Sequence, residues 1–119
     1  MASAADDSMR LIDTQLAHVW MVRAFLKHSD EAAEDEELAA VHRELYDYML
    51  ALGGPLKEGH ADEYLRVARK KLGKLKRAAE QFERIGPEVS QHTNFQMAAA
   101  SLTAAVRQIE GLLADSPAA

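Results

Sequence analysis

A chain of 119 residues with no cysteine and a net charge of −5 is long enough for one domain to bury a core without disulfide or metal staples. It excludes thiol catalysis, cysteine-ligated zinc and a disulfide framework together, and its acidic balance argues against indiscriminate nucleic-acid binding. It has no run of roughly 18 apolar residues to cross a bilayer, so the expectation is a cytoplasmic domain with no membrane partner.

Residues 1–8 carry Asp6 and Asp7 and no basic side chain, which reads as a disordered start and not as a secretory signal. The first helix is predicted over about residues 9–28. At 100° per residue, Met9, Ile12, Leu16, Val19 and Trp20 form one apolar face, while Leu11, Val22 and Phe25 form another with Met21 beside them. A helix apolar on two sides is either central in its domain or shared with another chain. Leu11, Met21, Val22 and Phe25 are therefore the candidate interface of a two-fold homodimer. The competing arrangement covers them with neighbouring helix ends and the segment from Asp30 to Glu37. Arg23 projects among Ile12, Leu16 and Val19, where an unpaired guanidinium is costly. It needs Asp13 or Asp47 as partner, or must carry its head to water.

After a break at Ser29-Asp30, a second helix is predicted over 31–52, with acidic residues crowding its start, where the helix dipole favours them. Leu38, Val41, Leu45, Tyr48 and Leu52 form its stripe, and Met49 widens it. Gly53 offers a left-handed end and Pro55 blocks resumption. The third helix, over 61–85, repeats apolar residues from Leu65 through Leu75 to Phe82 and carries Arg66, Arg69, Lys70, Lys71, Lys74, Lys76 and Arg77. A hairpin turning near Leu56 sets Glu36 and Glu37 opposite Arg77 and Lys76. Gly86-Pro87 is read as the next break. The fourth helix is predicted over 88–114, with Thr93 to Gln96 as a capping box that offers a later start, and 115–119 as a flexible tail. Its stripe runs from Phe95 through Leu102 to Leu113, and Ala98, Ala100, Ser101, Ala104 and Ala105 leave it thin. The fold expected is all-α, an up-down-up-down antiparallel four-helix bundle.

The chemistry-bearing residues assemble no recognised constellation. A di-metal bundle site needs Glu three residues before a His, or His or Glu four residues after one. His18, His28, His42, His60 and His92 are preceded at that offset by Gln15, Phe25, Ala39, Lys57 and Val89, and followed by Val22, Ala32, Tyr46, Tyr64 and Gln96. Neither a phosphate-binding glycine loop nor a nucleophile elbow is present, so no cofactor, metal or catalytic residue is expected. The segment ELAAVHRELYDYMLALG, Glu37 to Gly53, resembles a helix of the cobalamin adenosyltransferases over roughly a seventh of the chain. That family's Gly-containing N-terminal nucleotide loop and Arg-rich last helix have no counterpart here, and no site residue carries over.

Three functional readings follow from these residues. The first is a non-catalytic protein–protein interaction module that self-associates through helix one. The second is a small-molecule- or metal-binding bundle with a pocket around Arg23, His42, Tyr46 and Met49. The third, a weak nucleic-acid or anionic-surface binder through helix three, ranks last. The acidic run is placed to neutralise the same surface, and no aromatic residue interleaves with the basic ones.

Overall fold

A serine three residues before an aspartate sets where the fold begins. In the computed structural model, which describes residues 3–117, Ser3 Oγ accepts from the Asp6 amide at 3.1 Å while the Asp6 carboxylate accepts from the Ser3 amide at 3.2 Å. This reciprocal cap satisfies two amides that a helix start leaves without partners. Helix α1 accordingly spans Ala4–His28, one turn longer than the apolar repeat suggests, and the added turn buries Ala5. The disordered start expected for residues 1–8 is helix from Ala4 onward; Met1 and Ala2 lie outside the described residues.

The acidic segment after α1 divides in two. Ser29 caps a short α2, Asp30–Glu34, by accepting from the Ala32 amide at 3.3 Å, and Asp35 caps α3 by accepting from the Leu38 amide at 3.0 Å. The second predicted helix is thus two helices around an extended Asp35, because the Asp35 side chain competes for the amides ahead of it.

Neither Gly-Pro pair stops its helix, contrary to the sequence reading. Helix α3 spans Glu36–Glu58 through Gly53, Gly54 and Pro55, and α4 spans Ala61–Val89 through Gly86 and Pro87. The residue before a proline avoids helical angles partly because its Cβ and amide meet the proline ring. In both pairs that residue is glycine, and the Cβ half of the clash is absent. The stop signal is instead Gly59, whose φ of 70° is left-handed. Its amide donates to Leu56 O at 3.1 Å and that of His60 to Pro55 O at 2.9 Å, a pair of bonds that closes the helix end. The last helix, α5, spans Thr93–Asp115. It starts at the later of the two expected positions, but its cap is His92 Nδ1, which accepts from the Asn94 amide at 3.0 Å, in place of a Thr93–Gln96 box.

All regular structure among the described residues is helical, and the five helices pack compactly. The Cα envelope is 46 × 22 × 20 Å. The long dimension is close to that of α4 alone, about 44 Å for 29 residues at roughly 1.5 Å each. The most extensive seams are α3 with α4, α1 with α5, α4 with α5 and α1 with α3. Glu37 near the start of α3 meets Arg84 and Gln81 near the end of α4, and Tyr48 donates to Ala68 O at 3.1 Å further along the same seam. The expected partners of the Glu36–Glu37 pair, Lys76 and Arg77, lie at least one turn short of this, because the hairpin turns at Gly59 and not at Leu56. Phe95 of α5 meets Phe25 of α1 edge-on at 5.1 Å and Phe82 of α4 at 6.3 Å, joining three helices at one end of the core with geometry that aromatic rings favour.

Candidate functional site

The four residues expected to form a helix-one interface divide between two environments. Leu11 and Met21 are 54% and 65% exposed. Val22 is 3% exposed in the core, and Phe25 packs on Phe95 of α5, so both are covered within the same chain. Large apolar exposure instead continues onto α3, where Tyr46 and Leu50 stand across a groove from Trp20. Sequence projection of α1 alone did not single out Trp20 as exposed. The deciding neighbour is α3, which packs against α1 across the short α2 connector.

The α1–α3 groove has a volume of about 470 Å³. Leu16, Trp20, Tyr46, Met49 and Leu50 line its apolar length, and Asp13 and Lys57 are its charged lining residues. Asp13 is half-buried, and burial raises its carboxyl above the ordinary 3.8. Among the described residues neither Asp13 nor Lys57 enters an ion pair.

Beside the groove lies the expected pocket set, and the structure brings three of its members into contact. Arg23 is 7% exposed, with its guanidinium carbon 3.9 Å from the Trp20 ring centroid and 5.6 Å from that of Tyr46. A cation over an aromatic face is attracted by the ring quadrupole. One terminal nitrogen, Nη1, donates to His42 Nε2 at 3.2 Å. Arginine has no acceptor, so Nε2 must be unprotonated and the neutral ring carries its proton on Nδ1. Neither Asp13 nor Asp47, the carboxylates the sequence offered as partners, bonds to Arg23, and its head is not in water either. Two aromatic faces and an imidazole take that role, while Nε stays buried without a partner. Burial, reinforced by Arg23, Lys27 and Arg43, lowers the His42 pKa from its ordinary value. Met49, the fourth member, is half-buried against the core and lines the same groove as Tyr46.

The basic residues of α4 are partly committed within the fold. Arg66 pairs with Glu63, and Lys76 pairs with Glu110 of α5 at 2.6 Å. Arg69 reaches the end of α5, donating to Ser116 Oγ at 2.6 Å, Pro117 O at 2.7 Å and Leu113 O at 3.1 Å. A cation at a helix C-terminus offsets the negative end of the dipole and satisfies carbonyls that lack helical partners. This role was missed in the sequence because it depends on a residue 44 positions away. A second groove, about 410 Å³, runs between α4 and α5 along Gly86, Pro87, Ala99, Ala100 and Ala104. Its width reflects the thin face of α5.

No cluster of three or more His, Asp or Glu suited to a metal occurs among the described residues, and no described helix is long and apolar enough to cross a membrane. No family model, curated protein or solved structure matches the chain.

Proposed function

We propose that this chain is a non-catalytic helical interaction module that associates with a second copy of itself along the α1–α3 groove. Its four long helices are taken as an up-down-up-down antiparallel four-helix bundle with α2 as a connector. The opposed pairings Glu37–Arg84, Arg69–Leu113 and Phe25–Phe95 support that arrangement. The observation that carries the functional reading is the exposed apolar strip of Trp20, Tyr46 and Leu50. A contiguous patch of large apolar residues with charges at its edge is the mark of an association surface. A second copy is the occupant because a two-fold interface must be self-complementary. The groove carries an acid and a base, Asp13 and Lys57, neither of which enters an ion pair among the described residues. Relative to the sequence expectation, the surface keeps helix one and moves from Val22 and Phe25 toward α3.

Light scattering at rising concentration tests this reading directly. A dimer is expected, and Leu50→Glu should give a helical monomer by circular dichroism. Asp13→Lys should weaken association and Asp13→Lys with Lys57→Asp should restore it. An unmutated chain that stays monomeric up to its solubility limit removes the reading.

The groove volume also supports a second reading, a small-molecule site, since ligand pockets run from about 300 to 1,000 Å³ and this one is apolar with aromatic walls. Native mass spectrometry of protein purified from its source separates the two: retained non-protein mass favours a ligand, and paired bare chains favour the dimer.

A further inference from the structure

We infer that the contact between Arg23 and His42 is an acid-sensitive latch on the α1–α3 groove: neutral His42 holds Arg23 between Trp20 and Tyr46, and a proton on Nε2 releases it.

The geometry leaves one protonation state for the closed form. Arg23 is a permanent cation and can only donate, so the 3.2 Å contact to Nε2 needs a free lone pair there. Protonation replaces a hydrogen bond with two donors facing each other, and it puts a second positive charge beside Arg23, a buried cation. Among the described residues no carboxylate of α1, α2, α3 or α4 lies within ion-pair distance of the imidazole. The side chains acting on His42 are Arg23 and Lys27 of α1 and Arg43 of α3, all cationic. From α2 and its caps, Glu31 is bonded to Ser29, Asp35 caps α3, and Asp30 and Glu34 make no bond to the imidazole. Burial and these three cations hold the imidazolium below the ordinary 6.5, which keeps the latch closed at neutral pH.

Release reaches the groove through two residues. Trp20 and Tyr46 carry Arg23 on their rings and also wall the groove. Once Nη1 loses its acceptor, the attraction of the rings remains but the direction of the guanidinium is no longer fixed, and the walls it braces are free to move. The consequence for self-association rests on the dimer reading above. The latch itself does not.

Trp20 is the one tryptophan of the chain, so its emission reports this contact without labelling. The intact protein and His42→Gln, whose side-chain carbonyl can still accept from Arg23, are titrated in parallel from neutral to mildly acid pH, with emission, far-ultraviolet circular dichroism and light scattering read together. The expected result is an emission step in the native sequence with a midpoint below 6.5, helicity retained and association lost, and a flat response across the same window in His42→Gln. An emission step that survives in His42→Gln, or no step above the carboxylate range in the native protein, overturns the latch. Should His42→Gln fail to fold, the ring-proton shift of His42 in the unmutated protein decides: a midpoint at or above 6.5 overturns the proposal. A monomer at every pH that still shows the step removes the dimer reading and keeps the latch; a dimer at every pH without the step does the reverse.

Discussion

Gly86 keeps open the space that the Phe82 ring occupies: a Cβ at Gly86 would stand 3.2 Å from one ring carbon and 3.3 Å from the next. Phe82 is fully buried and edge-on to Phe95, so it has little room to retreat. Gly86→Ala should therefore cost about 1–3 kcal/mol, the usual penalty for overfilling a packed core. Urea denaturation followed by circular dichroism measures it, and a stabilised variant would show that the ring has room to move.

Gly53 and Gly111 also sit inside helices, but a Cβ on either meets nothing within 4 Å. Replacement by Ala reduces the freedom of the unfolded chain without a steric cost, so each should gain about 0.4–1 kcal/mol. Gly54 is equally uncrowded, yet it precedes Pro55, where a Cβ opposes helical angles. Gly54→Ala should fall short of Gly53→Ala in the same thermal melt, and equal gains would remove the explanation given for uninterrupted α3.

Arg69→Met keeps the aliphatic stem and deletes the guanidinium that donates to Leu113 O and Ser116. A cation at a partly buried helix end is worth up to about 2 kcal/mol, and a loss of about 1–2 kcal/mol is expected. Hydrogen exchange should quicken first in the last turn of α5. Unchanged exchange there would reduce the contact to a surface ornament.

Asp13 pays a burial cost for its charge, and the sign of its pH dependence follows. The folded carboxyl titrates above the ordinary 3.8, so between the unfolded and folded values the folded state holds more protons, and stability falls as pH rises through that window. Asp13→Asn should stabilise the dilute monomer at neutral pH, with a gain that disappears as pH drops below 3.8. The same variant should weaken the dimer by removing half of the proposed Asp13–Lys57 pair. Calorimetry at two concentrations reads both effects.

Val22 and Leu11 belonged to the same expected face and should now behave differently. Val22→Asp buries an unpaired charge at a position that is 3% exposed and is expected to unfold the chain. Leu11→Gln should change stability by no more than about 0.5 kcal/mol. A folded Val22→Asp monomer would return Val22 to the interface.

The Leu38–Leu52 and Leu65–Phe82 stripes fall inside α3 and α4, because apolar residues at alternating three and four suit one face of a helix. Helix ends were less legible, since glycine lessens the effect of the proline after it in Gly54-Pro55 and Gly86-Pro87, and since the cap that starts α1 uses Asp6 where Glu or Gln is customary. Around the groove, Arg23, His42 and Tyr46 were visible as unusual neighbours of an apolar stripe. Their mutual geometry was not, because it depends on how α3 packs back on α1 across the α2 connector, which the spacing within either helix does not specify. Arg69 was one of seven basic side chains on the third predicted helix. Its task is set by where α5 ends, which no local pattern records.

That clasp makes Ser116 and Pro117 part of the fastening between the last two helices. A fusion joined directly after Asp115 would remove the Ser116 and Pro117 acceptors and leave Leu113 O alone, whereas one attached beyond Pro117 keeps all of them. The choice of junction should decide whether a reporter reads the native assembly or a frayed version of it.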